Sequence, residues 1–276
     1  MIRACCIGWP VTHVRSPLIH GFWLKEHAIR GDYGREAVEP GQVEAFLRSL
    51  NDRGYAGCNV TIPHKEAAFA AMDEVEPGAV AVGAVNTVWL DRGRLVGMNS
   101  DVIGFLKNLD DHVPNWEREV RHAVVLGAGG AARGIVHGLL SRGVETVTVA
   151  NRSLSKAEAI AVAHPTSLRV ADWASLPDRV ADADLLVNTT SLGMKGQPAL
   201  DLPLDTLKPT AIVSDIVYVP LATDLLTRAE ARGHRTVEGL GMLLHQAVPG
   251  FEKWFGISPK VTRGLWEHVA ADVRGS

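Results

Sequence analysis

The sequence predicts an α/β protein: an N-terminal α/β domain, then a Rossmann-type, doubly wound nucleotide-binding domain, with C-terminal helices packing back on the first. Three observations carry that expectation. Short β-type runs alternate with helical ones along most of the chain. A Gly-x-Gly-x-x-Ala turn, Gly127 to Ala132, stands directly between an apolar run and a helical one. The length, 276 residues, reaches the size of about 250–300 residues at which a single core stops growing.

Composition narrows the class. Hydrophobic residues make up 46% and charged residues 21%, the balance of a globular chain and not of a disordered one. The net charge of -3, with no basic stripe, argues against a nucleic-acid binder. Cys5, Cys6 and Cys58 are odd in number and lack metal-ligand spacing, so neither a disulfide framework nor a metal site is expected. The run Ala4 to Ile7 is too short for a signal peptide, and no run approaches the roughly 20 apolar residues that span a bilayer. The expectation is a soluble cytoplasmic protein with reduced thiols whose partner is a small molecule, not a nucleic acid or a membrane. A homodimer is admitted by the sequence but not required.

Taken in order, Arg3 to Ile7 reads as a first strand. Ser16-Pro17 places a capping hydroxyl before a proline at the first helical position, opening a helix from Leu18 to Ile29. Val43, Phe46, Leu47 and Leu50 recur at helical spacing between Gln42 and Arg53, with Gly54 as the stop. Cys58 to Ile62 is a strand halted by Pro63, and Lys65 to Met72 a short helix. Val85 to Leu90 and Leu95 to Met98 flank Asp91-Arg92-Gly93-Arg94 as a hairpin.

A second unit begins at about residue 101, with Val102 to Leu109 as a connecting helix. His122 to Leu126, the glycine turn, the helix Ile135 to Leu140 and the strand Thr146 to Ala150 form a βαβ unit. Further strands fit at Leu185 to Asn188, Ala211 to Ile216 and Arg235 to Val237, with a helix at Leu221 to Arg232. Leu240 to Phe255 and Thr262 to Val273 read as two closing helices. The predicted segments are therefore 1–101, 102–239 and 240–276.

In the glycine turn, Gly127 permits a tight bend, Gly129 lets backbone approach a pyrophosphate, and Ala132 allows close helix–strand packing. The helix beyond offers free N–H groups to phosphates. A strand that ends in an acid would favour NAD. Here the second strand ends in Asn151-Arg152-Ser153, with Lys156 following. A guanidinium suits a 2′-phosphate, so NADP is the expected cofactor.

Polar clusters also interrupt the first unit: Asn59, Thr61 and Lys65 beyond one strand, Asn86 in an apolar run, and Asn99-Ser100-Asp101 at a helix start. Each has an ordinary reading, with Ser100 or Asp101 as a cap, Asn86 as a turn former and Lys65 as a surface charge. They nonetheless fall where ligands bind open α/β sheets, and a lysine with an aspartate could move the proton in a carbonyl–alcohol interconversion.

With Ser16 to His20, Asn59 to Lys65, Gly83 to Thr87, Asn99 to Asp101, Gly127 to Arg133, Asn151 to Ser153, Asn188 to Met194, Asp215 to Tyr218 and Gly239 to Ala247 taken together, the chain resembles the shikimate dehydrogenases over nearly its whole length. The resemblance implies NADPH-dependent, reversible reduction of 3-dehydroshikimate to shikimate, a step of aromatic amino-acid biosynthesis. It makes 1–101 the substrate domain and 102–239 the NADP domain. It implies Lys65 and Asp101 as the catalytic pair, and Ser16, Thr61, Asn86, Tyr218 and Gln246 as substrate contacts. Gly127, Gly129, Gly130 and Ala131 would cradle the pyrophosphate. Asn151, Arg152 and Lys156 would take the 2′-phosphate, and Met194, Gly239 and Met242 would wall the nicotinamide. One departure stands out: the family's His-Ser-x-Ser-Pro is here His13-Val14-Arg15-Ser16-Pro17, and Val14 cannot bond a carboxylate through its side chain. Alternatives are therefore a dehydrogenase of a related ring acid, quinate or an amino-shikimate, or a non-catalytic nucleotide-binding regulator.

Overall fold

A computed structural model describes residues 1–275. The chain divides into two compact units, Met1–Gly104 with Leu244–Val269, and Phe105–Leu243 with the residues from Ala270 onward. Among the described residues no helix is long and apolar enough to cross a membrane.

The first unit runs β1 (Ile2–Gly8), α1 (Ser16–Glu26), β2 (Gly31–Ala37), α2 (Val43–Arg48), β3 (Gly57–Val60), α3 (Lys65–Ala71), β4 (Glu74–Val75), α4 (Pro77–Val82), β5 (Thr87–Asp91) and β6 (Arg94–Met98). Its sheet has the order β2-β1-β3-β5-β6-β4. It is mixed, because β5 runs antiparallel to both β3 and β6. Alternation along the strands buries Cys5, Ile7, Cys58, Val60, Val88 and Leu95 in one core with α2 residues Phe46 and Leu47. The β5–β6 hairpin closes as predicted, with Arg92 and Gly93 both at positive φ (49° and 80°) inside the Asp91–Arg94 pair.

Three local readings are corrected. Ser16 is the first residue of α1 and not its cap: Arg15 holds that place, and no side chain caps the helix. The strand β2 was not anticipated, since Tyr33 is its only large apolar residue and it borders the sheet against β1 alone. The expected helix Leu240 to Phe255 is two, α10 (Gly239–His245) and α11 (Ala247–Phe255), parted at Gln246. Pro249 has no N–H for the His245 carbonyl and disfavours a continuous ladder there.

In the second unit follow α5 (Asp101–His112, which starts in the first), a 3-10 turn at Trp116–Arg118, β7 (His122–Leu126), α6 (Gly130–Ser141), β8 (Thr146–Ala150), α7 (Leu154–Ala161), β9 (Leu168–Ala171), α8 (Leu176–Val180), β10 (Leu185–Asn188), β11 (Ile212–Asp215), α9 (Asp224–Ala231) and β12 (Arg235–Val237). All pairings are parallel and the order is β9-β8-β7-β10-β11-β12, the doubly wound arrangement with its switch point beside β7. Both faces are covered. Ala123, Val125, Val147, Val149, Leu185 and Val187 enter one core, while Val124, Leu126, Leu186 and Val213 enter the other.

The helix α11 belongs to the first unit and packs on β1, β3, β5 and α1. Its Trp254 Nε1 donates to the Val88 carbonyl at 3.0 Å. Gly57 makes this approach possible: a Cβ there would lie 2.2 Å from both Trp254 Nε1 and the Val88 oxygen. The last helix, α12, spans Arg263–Gly275.

Candidate active site

In the first unit the polar residues collect on the face of the sheet opposite the Cys5–Ile7 core. Arg35, Cys6, Asn59 and Thr87 occupy one register across β2, β1, β3 and β5. Asn59, Asn86, Thr87 and Ser100 are all buried. Buried polar groups need partners, and these four find them in one another.

Lys65 opens α3, where the helix dipole alone disfavours a cation. Its Nζ meets Asp101 Oδ2 at 2.5 Å. Asp101 opens α5, a favourable place for an acid, and its Oδ1 accepts from Asn86 Nδ2 at 2.8 Å. Both partners keep some exposure, 30% for the lysine and 21% for the aspartate, as groups that must reach a ligand require. Ser100 holds the cap position of α5, its carbonyl accepting the Gly104 N–H at 2.8 Å, and the preceding Asn99 accepts the Asp101 N–H through Oδ1 at 3.1 Å while its Nδ2 donates to the Ala84 carbonyl. The Ser100 hydroxyl turns toward Asn86 and Thr87 and not back to the helix.

Of the predicted substrate set, the structure joins Asn86 directly to the Lys65–Asp101 pair. The hydroxyl of Ser16 faces Cys6 and Tyr33. Thr61 lies just past β3, its methyl beneath Gly8, and Gln246 sits almost buried at the break before α11. Tyr218 lies beyond β11 in the second unit. Two residues escaped the sequence reading. Arg35 donates through Nε (3.3 Å) and Nη2 (2.8 Å) to the Val14 carbonyl, fastening the loop that carries Val14. Tyr33 donates to Asn59 Oδ1 at 2.5 Å and stacks on the fully buried His20 with ring centroids 3.9 Å apart. Burial keeps that imidazole neutral, pushed down to about 3. A polar residue at a buried strand position was the available signal for Asn59, whereas nothing local marked Arg35 or Tyr33. Burial also raises the thiol of Cys6 to about 12 and those of Cys5 and Cys58 upward, so none is a poised nucleophile.

The glycine turn of the second unit fits a dinucleotide pyrophosphate. Gly127 has φ +104°, and a Cβ there would meet Thr189 Oγ1 at 2.8 Å. Around Gly129 and Gly130 an added Cβ would find nothing within 4 Å, so the backbone lies open to an anion. Gly129 is the N-cap of α6 and no side chain caps that helix, which leaves its first N–H groups to a phosphate. Ala132 is buried against the strand, and Ala131 half-buried beside it. No acid ends β8. Asn151 Nδ2 donates to the Ser153 carbonyl at 2.9 Å, and Arg152 and Lys156 are exposed beside it.

At the ends of β10 and β11, Asn188 and Asp215 tie the following loops. Asp215 accepts from Asn188 Nδ2 (3.0 Å), the Val217 N–H (3.0 Å) and the Thr223 hydroxyl (2.8 Å). Burial nevertheless raises its carboxyl to about 6. The predicted nicotinamide wall is mixed in character. Met194 is exposed, Met242 packs against the core of its own unit, and Gly239 has a steric duty, because a Cβ there would come 2.5 Å from the Ile216 carbonyl.

Three family models match in succession: the shikimate dehydrogenase substrate binding domain over 6–88, shikimate / quinate 5-dehydrogenase over 112–194, and the shikimate 5′-dehydrogenase C-terminal domain over 239–263. A shikimate dehydrogenase (NADP(+)) of Azorhizobium caulinodans is 53% identical over 273 residues, covering 99% of this chain and 97% of its own. Among solved structures, quinate dehydrogenase of Corynebacterium glutamicum in complex with NAD aligns with TM-score 0.90 at 31% identity, covering 98% of this chain and 99% of its own. Shikimate 5-dehydrogenase of Thermus thermophilus, in complex with NADP(H) and shikimate, aligns with TM-score 0.87 at 36% identity, covering 99% and 100%. A lysine–aspartate pair on a mixed sheet, a dinucleotide turn on a parallel one, and identity sustained from end to end place this chain in the shikimate dehydrogenase family.

Proposed function

We propose that this protein is an NADP-dependent shikimate dehydrogenase that interconverts 3-dehydroshikimate and shikimate in the cytoplasm, as a step of aromatic amino-acid biosynthesis. The observation that carries the reading is the Lys65–Asp101 pair with Asn86 behind it. NADPH, when bound, supplies the hydride that goes to the ring carbonyl carbon. Negative charge then develops on the carbonyl oxygen. The Lys65 ammonium stabilises it and donates the proton that completes the alcohol, and in the oxidative direction the amine takes that proton back. Asp101 holds the lysine and offers a carboxylate oxygen to a ring hydroxyl. Ser16, Thr61, Asn86, Tyr218 and Gln246 bind the ring's carboxylate and hydroxyls. Gly127, Gly129, Gly130 and Ala131 would hold the pyrophosphate, Asn151, Arg152 and Lys156 would hold the 2′-phosphate, and Met194, Gly239 and Met242 would contact the nicotinamide.

Val14 favours a second reading, in which the preferred acid is a neighbour of shikimate such as quinate. Its side chain is apolar, and its carbonyl, which accepts from Arg35, has no proton to offer a carboxylate. The absorbance of reduced cofactor, followed with shikimate and with quinate and with NADP and with NAD, separates the two. Saturable turnover with NADP and shikimate is expected. Lys65→Ala is expected to lower kcat by roughly 10²- to 10⁴-fold while cofactor binding, measured by fluorescence titration, persists. Turnover preserved in Lys65→Ala would remove the lysine from the chemistry.

A further inference from the structure

Two backbone groups determine the orientation of both asparagine amides behind the Lys65–Asp101 pair. A carbonyl oxygen only accepts and a backbone N–H only donates. The Asn86 carbonyl lies 3.2 Å from one end of the Asn59 amide, so that end is the NH2 group and Oδ1 turns to the Tyr33 hydroxyl. Burial raises the Tyr33 phenol well above its ordinary range, which keeps the proton it donates there. The same Asn59 Nδ2 reaches Thr87 Oγ1 at 3.2 Å. The proton of that hydroxyl has two acceptors within reach, Asn86 Oδ1 at 3.0 Å and Ser100 Oγ at 3.1 Å, and the Ser100 hydroxyl itself lies 3.1 Å from Asn86 Oδ1, so either route ends on the same amide oxygen.

The Asn86 amide is set from its other side as well. The Ser100 N–H reaches Asn86 Oδ1 at 2.8 Å and the Ser100 hydroxyl reaches it at 3.1 Å. Its oxygen is therefore committed, and the NH2 group is the end that meets Asp101 Oδ1. A half-turn of this amide would put oxygen against carboxylate. Thr87 and Ser100 are wholly buried, so water cannot replace a missing hydroxyl.

We propose that Thr87 is a positioning residue: its hydroxyl, oriented by Asn59, locks the Asn86 amide so that it presents N–H to Asp101 and holds the carboxylate for Lys65. The proposal rests on the assignment of Lys65 and Asp101 as the reacting pair. Its test is steady-state kinetics of Thr87→Val, Thr87→Ser and Ser100→Ala in the full chain, with shikimate and NADP, beside thermal unfolding of each. Thr87→Val keeps the shape and removes the hydroxyl. Its kcat is expected to fall roughly 10-fold, with KM for NADP unchanged. Thr87→Ser is expected to restore most of the loss. Wild-type kcat in Thr87→Val, equal impairment of Thr87→Ser, or a loss that vanishes once folded fraction is corrected would each overturn the proposal. Should Thr87→Val fail to fold, Ser100→Ala decides, with a several-fold drop in kcat supporting the proposal and an unchanged value overturning it. An active Lys65→Ala would overturn the underlying assignment as well. An inactive Lys65→Ala beside a fully active Thr87→Val would overturn this inference alone.

Discussion

The two sheets of this molecule place their polar chemistry differently. In the mixed sheet, polar side chains lie within the layer itself: Asn59 and Thr87 are opposed partners on neighbouring strands, both buried. In the parallel sheet the central strands β7 and β10 are apolar from Ala123 to Leu126 and from Leu185 to Val187, Thr148 and Ser214 are buried within the layer, and the candidate ligand groups gather beyond the strand ends. Asn188 and Asp215 are terminal residues of β10 and β11, and the glycine turn follows β7. Antiparallel β5 explains the contrast. It brings the start of one strand beside the end of another, so side chains meet across the ladder. In a purely parallel sheet all carboxyl ends share one edge, and exposed backbone does the binding.

That contrast can be broken most forcefully at Gly57, where the mixed sheet admits α11 only because a side chain is absent. Gly57→Ala is expected to destabilise the protein by about 4 kcal/mol, through overpacking and loss of the Trp254–Val88 bond, as read by denaturant unfolding. A change below about 1 kcal/mol would mean that the helix seats elsewhere at little cost.

The parallel sheet has its own sensitive point in Asp215. Its native pKa of about 6 lies above the ordinary 3.8, so the folded state retains a proton that the unfolded chain releases. The favourable contribution is complete below the lower value and is lost as pH rises through 6, by about 3 kcal/mol. Unfolding free energies from pH 4 to 7 should show this slope in the wild type and not in Asp215→Asn. Identical slopes would place another group in charge.

Smaller effects address the cofactor side. Arg152→Ala is expected to raise KM for NADP by roughly 10- to 150-fold and leave NAD nearly untouched, the loss of charge-assisted bonds to a phosphate. Equal losses with both cofactors would assign the arginine to adenine stacking instead. Gly127→Ala, strained at φ +104°, is expected to raise KM for NADP by roughly 10-fold with little change in kcat. A collapse of kcat there would mean that the turn also positions reacting atoms, contrary to the division between the sheets.

Legibility in the sequence follows the same division. The β7 strand, its turn and α6 are local patterns of strong periodicity, and they were readable along with β8, β10 and β11. Asn59, Lys65, Asn86 and Asp101 could be singled out because amides and charges stood out against apolar surroundings. Their partnership could not, because the Asn59–Thr87 pairing depends on register between distant strands. β2 was missed because Tyr33 is its one large apolar residue, and Tyr33 and Arg35 were missed with it; β9 and β4, of four and two residues, are too short to show a period. The break at Gln246 was hidden by apolar residues on both sides of it, although Pro249 marked it.

The first unit is assembled from both ends of the chain, Met1–Gly104 and Leu244–Val269, whereas most of the second is one uninterrupted stretch. On the ribosome this sets an order of events. The parallel sheet is complete in sequence once Val237 has emerged, but the mixed sheet must wait for Trp254 before its second layer exists. Until then the part of the sheet that α11 covers, over β1, β3 and β5, is exposed apolar surface, so the first unit is the one whose completion comes last.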